Sequence, residues 1–235
     1  LATITSHGEE SGEFTATIPA NTRRIHFIAN QNMTDFQEDE FRNKSEADVI
    51  ALLEGSSGMM IYWARFACDA NNEESIDQQL AKNPNVIMIR NQAKITIDNP
   101  TGNGYLVVTG FTAYNTNAFG TVAPYHPTKG WVWSSNADVE PFVTLPANDA
   151  KLSDIQDVQD ISQNPELYVF ECENSSEDPV SVIIRGHLPG ESEELYYRVM
   201  LIKANGEQEL IRRNHHYMFH IAGALSYGQP TFEAA

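Results

Sequence analysis

The chain has 235 residues, of which 41% are hydrophobic and 10% aromatic, so it carries enough apolar material for a real core and disorder is excluded. Its net charge of −17 repels phosphate backbones and anionic lipid, which argues against nucleic-acid and peripheral membrane binding. No apolar run approaches the roughly 20 residues of a membrane-spanning helix, so no transmembrane segment is expected.

Taken in chain order, the first elements are two β-like pieces, Glu13–Ile18 and Arg24–Ala29, joined by a turn at Pro19-Ala20-Asn21. No leading strand is evident before Glu13. Leu1 begins no recognisable signal peptide, and the opening reads as a mature or trimmed form. Asp35–Lys44 is charged and irregular. Ser45, three residues before Asp48 and ahead of Val49, Ile50, Leu52 and Leu53, predicts a capped short helix that Gly55 stops. Met59–Ala67, strongly apolar and aromatic, reads as a buried strand. Asn72–Ala81 predicts a second short helix ended by Asn83-Pro84.

Short strands punctuated by Gly, Pro and Asn follow: Val86–Ile89, Ala93–Ile97, a turn over 99–104, and Tyr105–Tyr114. Phe119–Trp133 carries Gly120, Pro124, Pro127 and Gly130 and reads as loop. Leu152–Ser162 is acidic loop, and Glu166–Cys172 and Val180–Gly186 are strands. The most regular stretch is Leu195–Ile221. Leu195, Tyr197, Val199 and Leu201 alternate with Tyr196, Arg198, Met200 and Ile202. Asn205-Gly206 supplies a hairpin turn, and Glu209–Ile221 is the return arm of a two-stranded ribbon. These elements predict an all-β chain of two tandem β-sandwich domains, 1–139 and 140–235, with one or two short helices in the first.

The search for chemistry finds no catalytic constellation. His216, Met218 and His220 share one strand face, but imidazoles at i and i+4 of a strand lie about 13 Å apart, too far for one metal. There is no G-x-S-x-G elbow, and neither Cys68 nor Cys172 sits in a C-x-x-C pair. Two free buried thiols are favoured over a bridge between them. Thr101-Gly102-Asn103-Gly104 lacks the Lys-Ser/Thr of a phosphate loop and precedes a strand, not a helix. The acidic run Asp149–Asp160 lacks the Gly and closing Glu of a calcium loop. No metal, cofactor or enzyme activity is expected. Tyr125, Trp131 and Trp133 form the one candidate binding patch, an aromatic platform for carbohydrate if their rings are exposed and coplanar. Asn32, Asn43 and Asn174 head N-x-Ser/Thr sequons, which matter only if the host glycosylates.

Gly110–Pro124, GFTAYNTNAFGTVAP, resembles a stretch near the end of the first domain of the fimbrillin-like proteins of Bacteroidia. Asn164–Glu173, NPELYVFECE, with Tyr196-Tyr197, Arg213-Asn214-His215-x-Tyr217 and Tyr227-Gly228, is similar to their second domain. The succession covers about two thirds of the chain. The resemblance implies a non-enzymatic pilus subunit or cell-surface adhesin of two transthyretin-like domains, made as a lipoprotein precursor and placed at the outer membrane in a fimbrium. It also implies partners: other fimbrial subunits joined by strand exchange, and a host surface protein or glycan. The lipid-anchoring Cys of the family is not present in this stretch. A carbohydrate-binding module or secreted glycan-handling protein is the competing expectation.

Overall fold

The computed structural model describes residues 3–6, 12–31, 38–56, 58–70, 72–98, 105–126, 128–131, 151–152, 157–175, 177, 179–222 and 227–235. The chain is mostly β, with few and short helices, so the all-β class holds. It divides into two compact units, Leu1–Phe27 with Ala64–Ile87, and Ile28–Trp63 with Met88–Ala235. Both are discontinuous in sequence.

In the first unit β1 (Thr3–Ser6) pairs antiparallel with β2 (Gly12–Thr15). The reading placed no strand before Glu13, and β1 corrects it. Isolated alternation over four residues is a weak signal that gains meaning only from its partner. Thr22 donates backbone and hydroxyl bonds to the Pro19 carbonyl at 3.0 and 2.7 Å, closing the expected turn ahead of β3 (Arg24–Ala29). Phe27 packs between Phe14 and Phe66 at centroid distances of 5.4 and 5.8 Å. The second short helix is α3 (Ile76–Lys82), and its start is set by a capping box at Ser75 and Gln78. Sequence reading put the start four residues too early because the acidic run before Ser75 also favours a first turn.

In the second unit α1 (Glu38–Phe41) occupies part of a stretch expected to be irregular. α2 (Glu46–Ala51) begins at the expected cap, Ser45, whose hydroxyl accepts from Asp48 N. Gly55 lies beyond its end, in β4 (Glu54–Ser56). β5 (Tyr62–Ala67) pairs through Tyr62 and Trp63 with β6 (Ile89–Arg90). The strand expected at Val86–Ile89 is thus displaced toward its C-terminal end.

Two larger sheets follow. One has the order β12-β8-β14-β15, built from β8 (Val107–Tyr114), β12 (Gln159–Asp160), β14 (Ser181–His187) and β15 (Leu195–Met200). The other has the order β13-β7-β16, from β7 (Gln92–Asp98), β13 (Leu167–Phe170) and β16 (His216–His220). Their inward residues meet in one core: Ala93, Ile95 and Val169 from one sheet, Val108, Phe111, Val182 and Ile184 from the other. A second core gathers Ile50, Leu53, Ile61, Trp63, Ile89 and Val122. β9 (Phe119–Thr121), β10 (Tyr125–His126) and β11 (Gly130–Trp131) structure the stretch expected to be loop.

β7 and β8 precede residue 140, yet they pair with β13, β14 and β16 beyond it. The sheets are therefore not partitioned at residue 140. Residues 132–150, where the boundary was expected, lie outside the described residues.

The expected 195–221 ribbon is also corrected. The turn exists: Gly206 takes φ 87° and donates to Lys203 O, and Ile202 bridges Gln208. Past Glu209 the arms separate. β15 stays against β14, while β16 runs parallel to β7 in the other sheet. Burying Tyr217 and Phe219 against the shared core from the opposite side outweighs continuing a two-stranded ladder.

Candidate functional site

The stretches that carry the family-like pattern converge in space. Arg213 is 1% exposed, and its guanidinium donates to Glu171 Oε1 from Nε at 2.9 Å and from Nη2 at 2.6 Å. It also donates to the carbonyls of Val122 and Thr121 at 2.8 and 3.2 Å, and to Thr121 Oγ1 at 2.5 Å. Asn117 Nδ2 donates to the Glu171 carbonyl at 3.1 Å. Gly120 lies beneath the Phe170 ring, where a Cβ would fall 2.1 Å from Cδ1. One buried charge pair thus joins residues of 110–124, 164–173 and 213–217.

The rest of Arg213-Asn214-His215-x-Tyr217 is equally structural. Asn214 takes φ 57°, donates its N–H to Gln92 O and accepts from Arg90 N at 3.3 Å. The Tyr217 hydroxyl donates to Leu210 O at 2.8 Å and accepts from Arg212 N at 2.9 Å. Burial pushes its pKa up. Asn174, which heads a sequon, is buried and donates to Leu201 O and Glu209 O while accepting from Val180 N at 2.7 Å. In the folded chain that side chain is committed to structure. Asn43 lies in a described turn at φ 62°, and Asn32 falls outside the described residues.

Tyr125 and Trp131 face each other across β10 and β11. Both are half-buried against the second core, with ring centroids 5.0 Å apart and planes inclined by 64°. Trp131 stacks on buried Trp63 at 5.4 Å and 16°. The rings of this pair are neither coplanar nor fully exposed. Trp133 lies outside the described residues. Cys68 and Cys172 are both free. Cys172 is buried, and burial raises its pKa. Cys68 is half-buried, less than expected, with its sulfur accepting from Arg23 Nη1 at 3.0 Å.

The outer face of β13-β7-β16 carries a polar row. Lys94 pairs with Glu166, and Tyr168 donates to the same carboxylate at 2.6 Å. The Lys94 ammonium, then the Tyr168 hydroxyl, hold the Glu166 pKa down, and that carboxylate pushes Tyr168 up to about 12. His216 contacts Thr96 Oγ1 at 2.7 Å, and His220 contacts Asp98 at 2.8 Å. The three residues 216, 218 and 220 are exposed together, as period-two alternation requires. Among the described residues no group of three His, Cys, Asp or Glu side chains forms a metal-binding cluster.

What remains as an interaction feature is the set of sheet edges. β16 ends one sheet, and no described strand lies beyond it. β15 ends the other, and among the described residues Gln229 is the one that bridges its outer side. No helix among the described residues is long and apolar enough to cross a membrane.

No described protein family matches the sequence, and no curated protein matches it. Among solved structures, the chain is similar to a provisionally named cell adhesion protein from Bacteroides eggerthii. The identity is 11% and the TM-score 0.44, over 94% of this chain and 77% of the other.

Proposed function

We propose that the protein is a non-enzymatic fimbrial subunit or cell-surface adhesin that assembles by β-strand addition. The observation that carries this reading is the pair of sheet edges at β15 and β16, each a row of outward backbone donors and acceptors without a full partner strand among the described residues. An incoming extended segment gains ladder hydrogen bonds there. The fimbrillin-like succession supports the reading, because its residues build the scaffold that holds these edges: Arg213 and Glu171 lie between β13 and β16 in sequence and tie both to the 117–122 segment. The partners are other fimbrial subunits and a host surface protein or glycan, the site of action is the bacterial surface, and no residue is assigned a catalytic role.

Strand complementation tests it. The purified chain is mixed with synthetic peptides of residues 1–18 and 219–235, and melting temperature and polymer formation are followed. A rise in melting temperature, or a change in self-association, supports an open-edged subunit. No response to either peptide, together with a monomer at all concentrations, overturns it.

A further inference from the structure

The outer face of β13-β7-β16 sets Tyr168, Lys94 and His216 in one row across its three strands, Thr96 and Met218 in the next, and Asp98 with His220 in a third. A strand spacing of about 4.8 Å and a rise of about 3.3 Å per residue make this grid roughly 10 by 13 Å. Tyr168 is 41% exposed and Met218 64%. The Tyr168 hydroxyl donates to Glu166, two residues back along the chain, and that bond draws the ring down along the sheet. An aromatic ring has an electron-rich face that attracts weakly positive C–H groups.

The polar groups around this ring are held in place but not used up. Glu166 is paired by Lys94 and Tyr168, Thr96 by His216, and Asp98 by His220. Each keeps capacity toward solvent: the remaining ammonium protons of Lys94, further lone pairs on both carboxylates, and the second ring nitrogen of each histidine. Among the described residues nothing else bonds those histidine nitrogens.

Charge decides between partners. The chain carries a net −17, yet here Lys94 offsets Glu166, His220 faces Asp98, and Arg90 lies close enough to Tyr168 to act on it electrostatically. The grid is a near-neutral island on an acidic protein. An anionic polymer is repelled by the surrounding surface, and a basic one is drawn to that surface in preference to the grid. A neutral partner dense in hydroxyls and carrying apolar C–H faces matches both the ring and the spare donors and acceptors. A short oligosaccharide has that chemistry.

We infer that the outer face of β13-β7-β16 binds a neutral oligosaccharide, with Tyr168 as the stacking ring and Lys94, Glu166, His216 and His220 as the hydrogen-bonding groups. The inference rests on the adhesin reading and names its ligand class and the face that takes it.

NMR titration of the full chain tests it, with cellohexaose, mannohexaose and N-acetylchitohexaose as neutral probes and a hyaluronan hexasaccharide as the anionic one. At least one neutral probe is expected to shift the ring C–H signals of His216 and His220 and the Met218 methyl, with a Kd of about 1 mM that added salt leaves unchanged. Tyr168→Ala weakens this binding about tenfold, and Tyr168→Phe keeps most of it. Tyr227→Ala, which removes a more exposed tyrosine outside this sheet, leaves it intact. If Tyr168→Ala does not fold, the map of shifted signals and the salt dependence of the unaltered chain decide the matter. The inference is overturned if no neutral probe shifts these signals, if Tyr168→Ala binds as tightly as the parent, or if the anionic probe binds more tightly than every neutral one. Shifts centred on Tyr125 and Trp131 overturn this face. A chain that responds to strand peptides but binds no probe overturns the inference and leaves strand addition standing, whereas a chain that does neither overturns both.

Discussion

Arg213→Met is the most informative single perturbation. The guanidinium it removes is 1% exposed, its Glu171 partner 3%, and it makes five hydrogen bonds to that carboxylate and to Thr121 and Val122. Methionine fills similar volume, so little cavity forms. The loss is electrostatic: a buried carboxylate loses its guanidinium, and the Val122 and Thr121 carbonyls lose the hydrogen bonds that it gave them. Breaking a buried pair from one side costs about 3–5 kcal/mol. At a urea m-value of roughly 2 kcal/mol/M, the unfolding midpoint falls by about 1.5–2.5 M. The double variant Arg213→Met with Glu171→Leu removes both charges and recovers a large part of that loss, since replacing the whole pair is often close to neutral. A double-mutant cycle from urea melts measures the coupling. A single-variant loss below about 1 kcal/mol, or a double variant as unstable as the sum of the singles, would refute the view that this pair clamps the three segments.

Gly120→Ala drives a methyl into the Phe170 ring and is expected to cost about 1–3 kcal/mol, read as a lower thermal midpoint. Ser75→Ala deletes the capping box of α3 and is expected to cost about 1 kcal/mol, read as faster amide exchange in the first turn of that helix. Tyr168 titrates near 12 in the fold against an ordinary value of 10. Its raised pKa gives stability fully present below pH 10, lost as pH rises through 12. Glu166→Gln removes the leading cause, so ultraviolet titration of the tyrosinate should show its midpoint returning toward 10. Lys94→Met should let the Glu166 midpoint rise toward 4.5 in an NMR titration. In the parent, a lowered carboxylate pKa gives stability that is present above 4.5 and disappears as pH falls through the lowered value.

Local patterns were legible residue by residue. The Ser45 cap, the turn before β3, the strands at Gln92–Asp98 and Ser181–His187, and the alternation through Leu195–Met200 each follow from interactions within a few positions. The all-β class follows from their sum. Partner choice was not legible. β16 lies parallel to β7 at a separation of about 120 residues, and parallel pairing leaves no turn signature to read. The Asn205-Gly206 turn reverses the chain identically whether its arms remain paired or diverge into separate sheets. Arg213 and Glu171 look like two surface charges in sequence, 42 positions apart. Only packing makes them a buried pair, because only packing removes the water that each would otherwise keep. Sequence therefore determined where the backbone extends, turns and caps; tertiary structure decided which strands share a sheet, since that depends on apolar faces meeting across the core and not on neighbours along the chain.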